Sequence, residues 1–266
     1  MPLLENRVAV ITGSAIGIGR AIAIAMAEEG ANVALLDIDA VNNAETARQV
    51  RALGRTALAM DCDISDKHQV RRAFAEILGN LGRVDVLVNN AAVYVDCALT
   101  HGDWDTQTAN FERSIAIGAF GAYYCGLAAV PAMKQAGGGN IVNVITEHVH
   151  AGYYQTTSPA TGYDCAKFSQ WRLTEDWALE LKPLAIRVNA VCPGATDTPM
   201  LRAVSVPIAE KGMRAEDVAL GVMNIIRQGP DGPVGKAYLM GTSQSAMSPG
   251  GTTGRKDAEA ILTAKG

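Results

Sequence analysis

The chain has 266 residues, of which 48% are hydrophobic, and its formal net charge is -4. This length supports one large buried core, so we expect a single domain over residues 1–266. The mild negative charge argues against a basic surface for nucleic acid. No run of about 18 apolar residues predicts a membrane span, and no signal peptide precedes the first apolar run, so we expect a cytoplasmic protein without a membrane partner.

The cysteines exclude two further classes of protein. Their number is odd, they are scattered, and no two of them form a C-x-x-C pair: Cys62, Cys97, Cys125, Cys165 and Cys192. This pattern argues against a disulfide framework and against a structural zinc site. We therefore expect free thiols in a reducing compartment and no bound metal.

Short apolar runs alternate with longer helical patterns along the whole chain. Uninterrupted apolar runs are typical of parallel strands covered on both faces. The predicted strands are Val8–Ile11, Val33–Leu36, Thr56–Met60, Val84–Val88, Ile141–Ile145, Ile186–Val191 and Ala237–Met240. The predicted helices are Ile18–Glu29, Gln69–Leu78, Ser114–Gln135, Ala166–Leu181 and Ala215–Ile226. This alternation predicts an α/β fold, a doubly wound domain whose seven-stranded parallel sheet carries helices on both faces.

Two stretches lie outside this regular pattern. The polar stretch Thr100–Asn110 is predicted as a loop, and residues 242–266 are rich in small and polar residues and are predicted as a partly mobile C-terminal tail.

A glycine-rich turn follows the first predicted strand and opens the first predicted helix. Backbone N–H groups and the helix dipole at such a turn favour a pyrophosphate, and glycines let the backbone approach it closely. The alternative is a plain glycine-rich strand–helix turn without a ligand. The candidate cofactor-binding residues of this turn are Gly13, Ser14, Ile16, Gly17, Ile18 and Gly19.

An acidic residue, Asp37, ends the second predicted strand. A carboxylate at this position accepts hydrogen bonds from the hydroxyls of an adenosine ribose, and it would repel a 2′-phosphate. No arginine follows within the next few positions, which favours NAD over NADP. An ordinary solvated acid at a strand end is the alternative. Together with the glycine-rich turn, Asp37 predicts a Rossmann-type domain that binds NAD.

Further motifs follow in a fixed order and resemble those of the short-chain dehydrogenase/reductase family. They are G-x-x-x-G-x-G at 13–19, Asp63-Ile64, Asn89-Asn90-Ala91-Ala92, Tyr163-x-x-x-Lys167, Pro193-Gly194 and Thr198-Pro199. The likeness extends from about Val8 to about Gly241. It implies further contacts to the cofactor from Asp63, Ile64, Asn90, Ala91, Tyr163, Lys167, Pro193, Gly194, Thr196 and Thr198.

The resemblance also implies an activity. It predicts hydride transfer between a nicotinamide cofactor and a secondary alcohol or ketone, with Tyr163 as the acid/base. Lys167 lies four positions later, on the same helical face, and its ammonium would stabilise the tyrosinate and lower the pKa of Tyr163. The resemblance further implies a homodimer or homotetramer.

The chain departs from the family at two positions. Thr146 aligns with the usual catalytic serine; its hydroxyl can still donate a hydrogen bond, but its methyl group changes the pocket. Gly118 aligns with an asparagine that anchors a water molecule in the family's proton relay, so either the relay water here needs another anchor or Lys167 meets solvent differently. The predicted catalytic residues are therefore Tyr163, Lys167 and Thr146.

Segments after the carboxyl ends of the strands are predicted to line the substrate pocket. Three interpretations of the loop at 147–158 remain open: it contacts a polar or aromatic substrate, it makes packing or interface contacts of its own, or it binds a metal through His148 and His150. The third lacks a plausible ligand set. The candidate pocket residues are Tyr94, Glu147, His148 and Tyr153.

Two other functions remain open at this point. Gly118 and Thr146 are compatible with a non-catalytic NAD-binding scaffold or sensor, although the presence of Tyr163 and Lys167 argues against it. A related enzyme that catalyses epimerisation or dehydration on the same fold is the other alternative. The identity of the substrate cannot be predicted, because pocket loops vary independently of the fold.

Overall fold

The computed structural model describes residues 2–149 and 160–240. The predictions made for His150, Tyr153 and the remainder of the loop up to residue 158, and for the tail at 242–266, lie outside these described residues.

Seven parallel strands form one sheet, as predicted. The strand order is β3-β2-β1-β4-β5-β6-β7, and every neighbouring pair is parallel. The strands β2 and β3 are added on one side of β1 and the remaining strands on its other side, beginning with β4. Open α/β sheets bind ligands in the crevice at this change of strand order. The strands are β1 Val8–Thr12, β2 Asn32–Asp37, β3 Ala57–Asp61, β4 Val86–Asn89, β5 Gly139–Val144, β6 Ile186–Pro193 and β7 Ala237–Met240.

Helices cover both faces of the sheet. They are α1 Gly17–Glu28, α2 Ala40–Ala52, α3 Lys67–Leu81, α4 Trp104–Ile115, α5 Ala122–Gln135, α6 Thr161–Glu180, α7 Pro199–Val204, α8 Val206–Ala209 and α9 Ala215–Arg227. Apolar residues of α1, α2 and α9 form one core with one face of the sheet, and those of α3, α5 and α6 form a second core with the other. The predicted doubly wound architecture is therefore confirmed.

Several helical segments differ from the prediction. The short helices α7 and α8 were absent from it, and the predicted helix Ser114–Gln135 is divided into the end of α4, a π-helical segment and α5. The helix α2 was also absent from the prediction, although Asp39 accepts a hydrogen bond from the backbone N–H of Asn42 as an N-cap residue does. The prediction of a loop at Thr100–Asn110 was wrong over most of its length, because Asp103 caps a helix that begins at Trp104. Trp104 itself is 81% exposed.

The helices α4 and α5 are joined by a π-helical segment, Ala116–Gly121. In the part of the chain that the structure describes, the resulting stretch Trp104–Gln135 is long and apolar enough, by those two measures alone, to cross a membrane. The packing of this stretch inside the protein accounts for its apolar residues, since α5 contributes Cys125, Ala129 and Met133 to the second core. π-Helical turns within longer helices are frequently found at functional sites.

Candidate active site

The sequence motifs converge on the carboxyl edge of the sheet. The glycine-rich turn follows β1, Asn90 and Ala91 follow β4, Thr146 follows β5, and Pro193 ends β6. The helix α6 brings Tyr163 and Lys167 to the same edge, where it packs against β6 and the short turn Glu147–Val149. Segments that are far apart in sequence therefore form one site.

The glycine-rich turn requires its glycines for two different reasons. Gly13 and Gly17 have positive φ angles of 64° and 58°, which favour glycine. A side chain at Gly19 is excluded by space, since its Cβ would lie 2.0 Å from the carbonyl oxygen of Gly13. The helix α1 thus begins directly against the end of β1, with its first backbone N–H groups at the turn.

Asn90 fixes this turn to the neighbouring strand. Its side-chain Nδ2 donates to the carbonyl oxygens of Thr12 and Gly13, both at 3.0 Å. The hydroxyl of Thr12 accepts hydrogen bonds from the backbone N–H groups of Asn90 and Ala91 at 3.0 and 3.1 Å. Asn90 and Ala91 therefore shape the turn, with the side chain of Asn90 occupied by backbone carbonyls.

The carboxylate of Asp37 reaches from β2 back to the glycine-rich turn. Its Oδ2 accepts from the backbone N–H of Ala15 at 2.9 Å, and its Oδ1 accepts from the backbone N–H of Asp39 at 2.9 Å. Each oxygen of an ionised carboxylate can accept a further hydrogen bond. Asp37 is therefore held at the turn and still has acceptor capacity.

Other predicted residues of the turn differ in orientation. The hydroxyl of Ser14 is buried and donates to Oδ1 of Asn43 at 2.9 Å, so this side chain serves the contact between the turn and α2. Ile18 packs partly against the core of α1 and α9. Ile16 is 40% exposed at the helix N-cap and is the one of the three that faces solvent.

Asp63 and Ile64 follow β3 at the far side of the crevice. Oδ1 of Asp63 accepts from both the backbone N–H and the hydroxyl of Ser65, at 2.9 and 2.7 Å. Ile64 is buried against Gly121, where an added Cβ would lie 2.7 Å from its Cδ1. Ile64 therefore connects this edge of the crevice to the π-helical segment.

Tyr163 lies among three predicted site residues. Its ring centroid is 5.5 Å from that of Tyr94 and 6.4 Å from the ring of His148. Burial raises the pKa of Tyr163 above its usual range, a hydrogen bond with the side chain of Thr146 opposes this, and the nearby Asp164 raises the pKa further. The surroundings of Tyr163 therefore favour the protonated phenol.

Lys167 is almost fully buried, with 2% of its surface exposed. Its Nζ donates to the carbonyl oxygen of Val144 at 2.6 Å and to Oε1 of Gln170 at 3.2 Å. The same nitrogen lies 5.8 Å from the ring centroid of Tyr163. Burial lowers the pKa of Lys167 to about 7, so proton exchange at this amine is accessible near neutral pH.

The predicted pocket residues divide into two environments. Tyr94 and His148 face Tyr163, and Nδ1 of His148 shares a hydrogen bond of 2.7 Å with Oδ1 of Asp164. Glu147 is only 4% exposed and packs behind Gly194, where an added Cβ would lie 2.7 Å from its Oε2. The ring pair therefore borders the phenol, while the carboxylate supports the segment after β6.

The segment after β6 closes over the glycine-rich turn. The hydroxyl of Thr196 donates to the carbonyl oxygen of Gly194 at 2.9 Å, and Thr198 caps α7 by accepting from the backbone N–H of Leu201. A Cβ added at Gly17 would lie 3.2 Å from Cγ2 of Thr198. Thr198 therefore packs directly against the glycine-rich turn.

Gly118 lies in the π-helical segment and is packed against α6. A Cβ added there would lie 2.6 Å from Cβ of Ala166, the residue before Lys167. The contact leaves no space for the asparagine that the family places at this position. Because Gly118 has no side chain, the π-helical segment and α6 pack in direct contact at this point.

Sequence reasoning missed two polar residues of the site, Asp164 and Gln170. Asp164 directly follows Tyr163 and pairs with His148, and Gln170 is a buried amide one helical turn after Lys167. A polar residue three positions after a buried lysine was the available signal for Gln170.

Within residues 2–149 and 160–240, no group of three or more His, Cys, Asp or Glu side chains is placed to hold a metal ion.

Comparison with known proteins gives matches over most of the chain. The family model for short-chain dehydrogenases matches residues 7–207. An uncharacterized NAD-dependent oxidoreductase of Mycobacterium tuberculosis is 35% identical over 212 residues, covering 74% of this chain and 74% of the relative. A 7α-hydroxysteroid dehydrogenase of Escherichia coli is 31% identical over 210 residues, covering 79% of each chain.

The fold has a similar counterpart among solved structures. A 7α-hydroxysteroid dehydrogenase, solved with NADH and 7-oxo glycochenodeoxycholic acid, has a TM-score of 0.82 and 26% identity, covering 91% of this chain and 96% of that one. Sequence, fold and the order of motifs agree. The chain therefore belongs to the short-chain dehydrogenase/reductase family.

Proposed function

We propose that the protein is an NAD-dependent oxidoreductase that transfers a hydride between the nicotinamide cofactor and a secondary alcohol or its ketone. The observation that carries the proposal is the position of Tyr163. Its phenol meets Thr146 and lies 5.8 Å, measured from the ring centroid, from the buried amine of Lys167. Both groups stand at the edge of the sheet where the glycine-rich turn begins.

The residues of the crevice fit NAD. Gly13, Gly17 and Gly19 leave the backbone of the turn open to close approach, and the start of α1 favours the pyrophosphate. The spare acceptor capacity of Asp37 suits the two hydroxyls of an adenosine ribose, and its charge disfavours a 2′-phosphate. The Mycobacterium tuberculosis relative is itself described as an NAD-dependent oxidoreductase.

The protein supplies proton transfer and orientation, and bound NAD would accept or donate the hydride. During alcohol oxidation, the phenolate oxygen of Tyr163 takes the hydroxyl proton of the substrate. Thr146 donates a hydrogen bond to the substrate oxygen and holds it beside the phenol. The ammonium of Lys167 stabilises the phenolate, which offsets the effect of burial on the pKa of Tyr163.

The pocket residues suit a ring-bearing substrate with a polar group. Tyr94 and His148 present ring faces or edges beside Tyr163, and such rings pack well against cyclic apolar ligands. The 7α-hydroxysteroid dehydrogenase in the solved structure holds a keto-substituted bile acid. A cyclic secondary alcohol is therefore the first substrate class to test.

The direct test uses purified protein, NAD and a panel that contains cyclohexanol, 2-butanol and a 7α-hydroxysteroid. Reduced nicotinamide is followed by its absorbance. We expect turnover with at least one cyclic alcohol, a loss of at least about a thousandfold in Tyr163→Phe, and wild-type rates in the control Tyr124→Phe on α5. NAD binding without turnover on the whole panel would favour a non-catalytic scaffold, and unchanged rates in Tyr163→Phe would refute the assigned acid/base.

We also propose that the protein is a homo-oligomer, a dimer or a tetramer. Apolar side chains project from one side of the π-helical segment and α5: Phe120 is 53%, Tyr123 46% and Leu127 63% exposed. Apolar residues that lie together at helical spacing are typical of an interface. Light scattering should give a multiple of the monomer mass, which Leu127→Glu reduces and the control Leu99→Glu leaves unchanged. A monomeric wild-type protein would contradict this proposal.

The cytoplasm stays the predicted compartment. All five cysteines are free, four of them buried and Cys165 exposed. Free thiols are typical of proteins in reducing compartments.

A further inference from the structure

The amine of Lys167 is held by an amide side chain that lies on the same helix. Nζ of Lys167 has two hydrogen-bond acceptors, the carbonyl oxygen of Val144 on β5 and Oε1 of Gln170 on α6. An ammonium group has three donors and no acceptor, so both partners favour its charged form. Gln170 is 1% exposed, and its amide oxygen is thus a buried acceptor next to a buried amine.

Gln170 is itself fixed by a chain of buried hydrogen bonds. Nδ2 of Asn89 donates to Oδ1 of Asn143 at 2.9 Å, and Nδ2 of Asn143 donates to the hydroxyl of Thr174 at 2.8 Å. The hydroxyl of Thr174 donates to the backbone carbonyl of Gln170 at 2.8 Å. This chain runs from β4 through β5 to α6, so the position of Gln170 is set by the centre of the sheet.

Within residues 2–149 and 160–240, no second side-chain amide is within hydrogen-bond distance of the amine of Lys167. Gly118 has no side chain, and its contact of 2.6 Å with Ala166, measured from an added Cβ, leaves no space for one. The acceptor that α6 provides at Gln170 is therefore the side-chain partner of Lys167 in the part of the chain described by the structure.

We propose that Gln170 is a positioning residue of the active site: its amide oxygen orients the amine of Lys167 towards Tyr163 and favours the ammonium form. This inference rests on the proposed function in one respect, namely that the amine of Lys167 stabilises the phenolate of Tyr163. The hydrogen bond itself stands on the geometry of α6. Gln170 does not touch the phenol and acts through Lys167 alone.

The balance of charge around Lys167 makes this acceptor important. Burial lowers the pKa of Lys167 to about 7, and the titratable side chain recorded beside its amine is Tyr163 on the same helix. Tyr163 in turn lies next to Tyr94 and His148, and Asp164 and Glu147 raise its pKa. His148 is paired with Asp164. Near neutral pH a modest change in hydrogen bonding therefore decides how much of the amine is charged.

The test compares two substitutions of similar shape. Gln170→Met removes the acceptor, and Gln170→Glu keeps an oxygen at the same distance along the side chain and adds a negative charge. The pKa of Lys167 is measured by NMR on protein labelled with ¹³C at the lysine ε-carbon, and its signal is assigned from Lys167→Met. This measurement needs no cofactor and no substrate.

We expect Gln170→Met to lower the pH at which Lys167 titrates by about one pH unit, a tenfold change in the ratio of ammonium to amine. We expect Gln170→Glu to raise it above the wild-type value. If Gln170→Met does not fold, as judged from thermal melting, Gln170→Glu alone decides the question. A titration of Lys167 that stays at the wild-type pH in every folded variant would overturn the proposal.

The pH profile of turnover provides the second readout. In Gln170→Met, the acid limb of alcohol oxidation should move to higher pH, because a less charged Lys167 stabilises the phenolate less; Gln170→Glu should restore more of the activity than Gln170→Met. A purely structural role would lower rates at all pH values without moving the limb, and that result would also overturn the proposal. If the pKa of Lys167 changes as expected in the NMR titration but the protein turns over no alcohol, the positioning role of Gln170 is supported and the proposed function is rejected.

Discussion

Gly118→Ala places one methyl group into the contact between the π-helical segment and α6. The new Cβ would lie 2.6 Å from Cβ of Ala166, far inside the separation of about 3.5 to 4 Å at which carbon atoms attract each other. Cβ of Ala166 is attached directly to the backbone and cannot rotate away. One of the two helices must therefore move.

The magnitude follows from two opposing effects. Replacing glycine by alanine within a helix stabilises by about 0.5 to 1 kcal/mol, whereas overpacking a tight contact costs about 1 to 3 kcal/mol. We expect overpacking to dominate, with a net loss of about 1 to 2 kcal/mol in the free energy of unfolding. For a chain of this size, this corresponds to a fall of roughly 3 to 6 °C in Tm.

The assay is thermal and urea unfolding of four variants beside the wild type: Gly118→Ala, Ala166→Gly, the double variant of these two, and Gly79→Ala. Gly79→Ala on α3 is the matched control, because an added Cβ there meets nothing within 4 Å, and it should raise the stability. Gly118→Ala combined with Ala166→Gly reopens the space, so the double variant should lose less than the sum of the single losses. A Gly118→Ala protein as stable as Gly79→Ala would refute the reasoning.

Three further predictions concern charge. Asp37→Ala should weaken NAD and reduce the preference over NADP, measured as the ratio of the two Kd values; an unchanged ratio would reject the role of Asp37. The pKa of Lys167 is lowered to about 7 in the folded protein, so between about pH 7 and 10 the unfolded chain holds a proton on this lysine that the folded chain has released. The free energy of unfolding should therefore rise with pH in that range, and Lys167→Met should make the rise smaller. Burial raises the pKa of Asp85, but hydrogen bonds from Arg83, Val8 and Arg7 outweigh this and lower the pKa below its usual value. The ionised carboxylate therefore stabilises the fold above about pH 4, and this stabilisation is lost on acidification. Asp85→Asn should reduce the free energy of unfolding by about 2 kcal/mol at neutral pH and make Tm less dependent on acid pH.

The sheet could be predicted because its strands are covered on both faces. Such strands form uninterrupted apolar runs, and each predicted run corresponds to a strand of the structure. The helix α2 could not be predicted in the same way, since its buried face includes the polar residues Asn43 and Thr46. Their partners are Ser14 and the carbonyl of Ala15 in the glycine-rich turn, contacts that no local pattern indicates.

The positions of the site residues were predictable, and their contacts were not. Tyr163 and Lys167 share a helical face by their spacing alone. The bonds from Lys167 to Val144 and from His148 to Asp164 join residues 23 and 16 positions apart, so they depend on how α6 packs on β5 and the following turn. The inward orientation of Ser14 and the burial of Glu147 likewise follow from packing between elements.

The transfer of a deuterium label tests the central claim most directly. The protein is incubated with NAD and cyclohexanol, or another alcohol of the panel that is turned over, deuterated at the carbinol carbon, and the reduced cofactor is analysed by NMR. We predict one deuterium at C4 of the nicotinamide ring with the wild-type protein, and none above background with Tyr163→Phe. Reduced cofactor without deuterium, or equal labelling by both proteins, would contradict hydride transfer with Tyr163 as the acid/base.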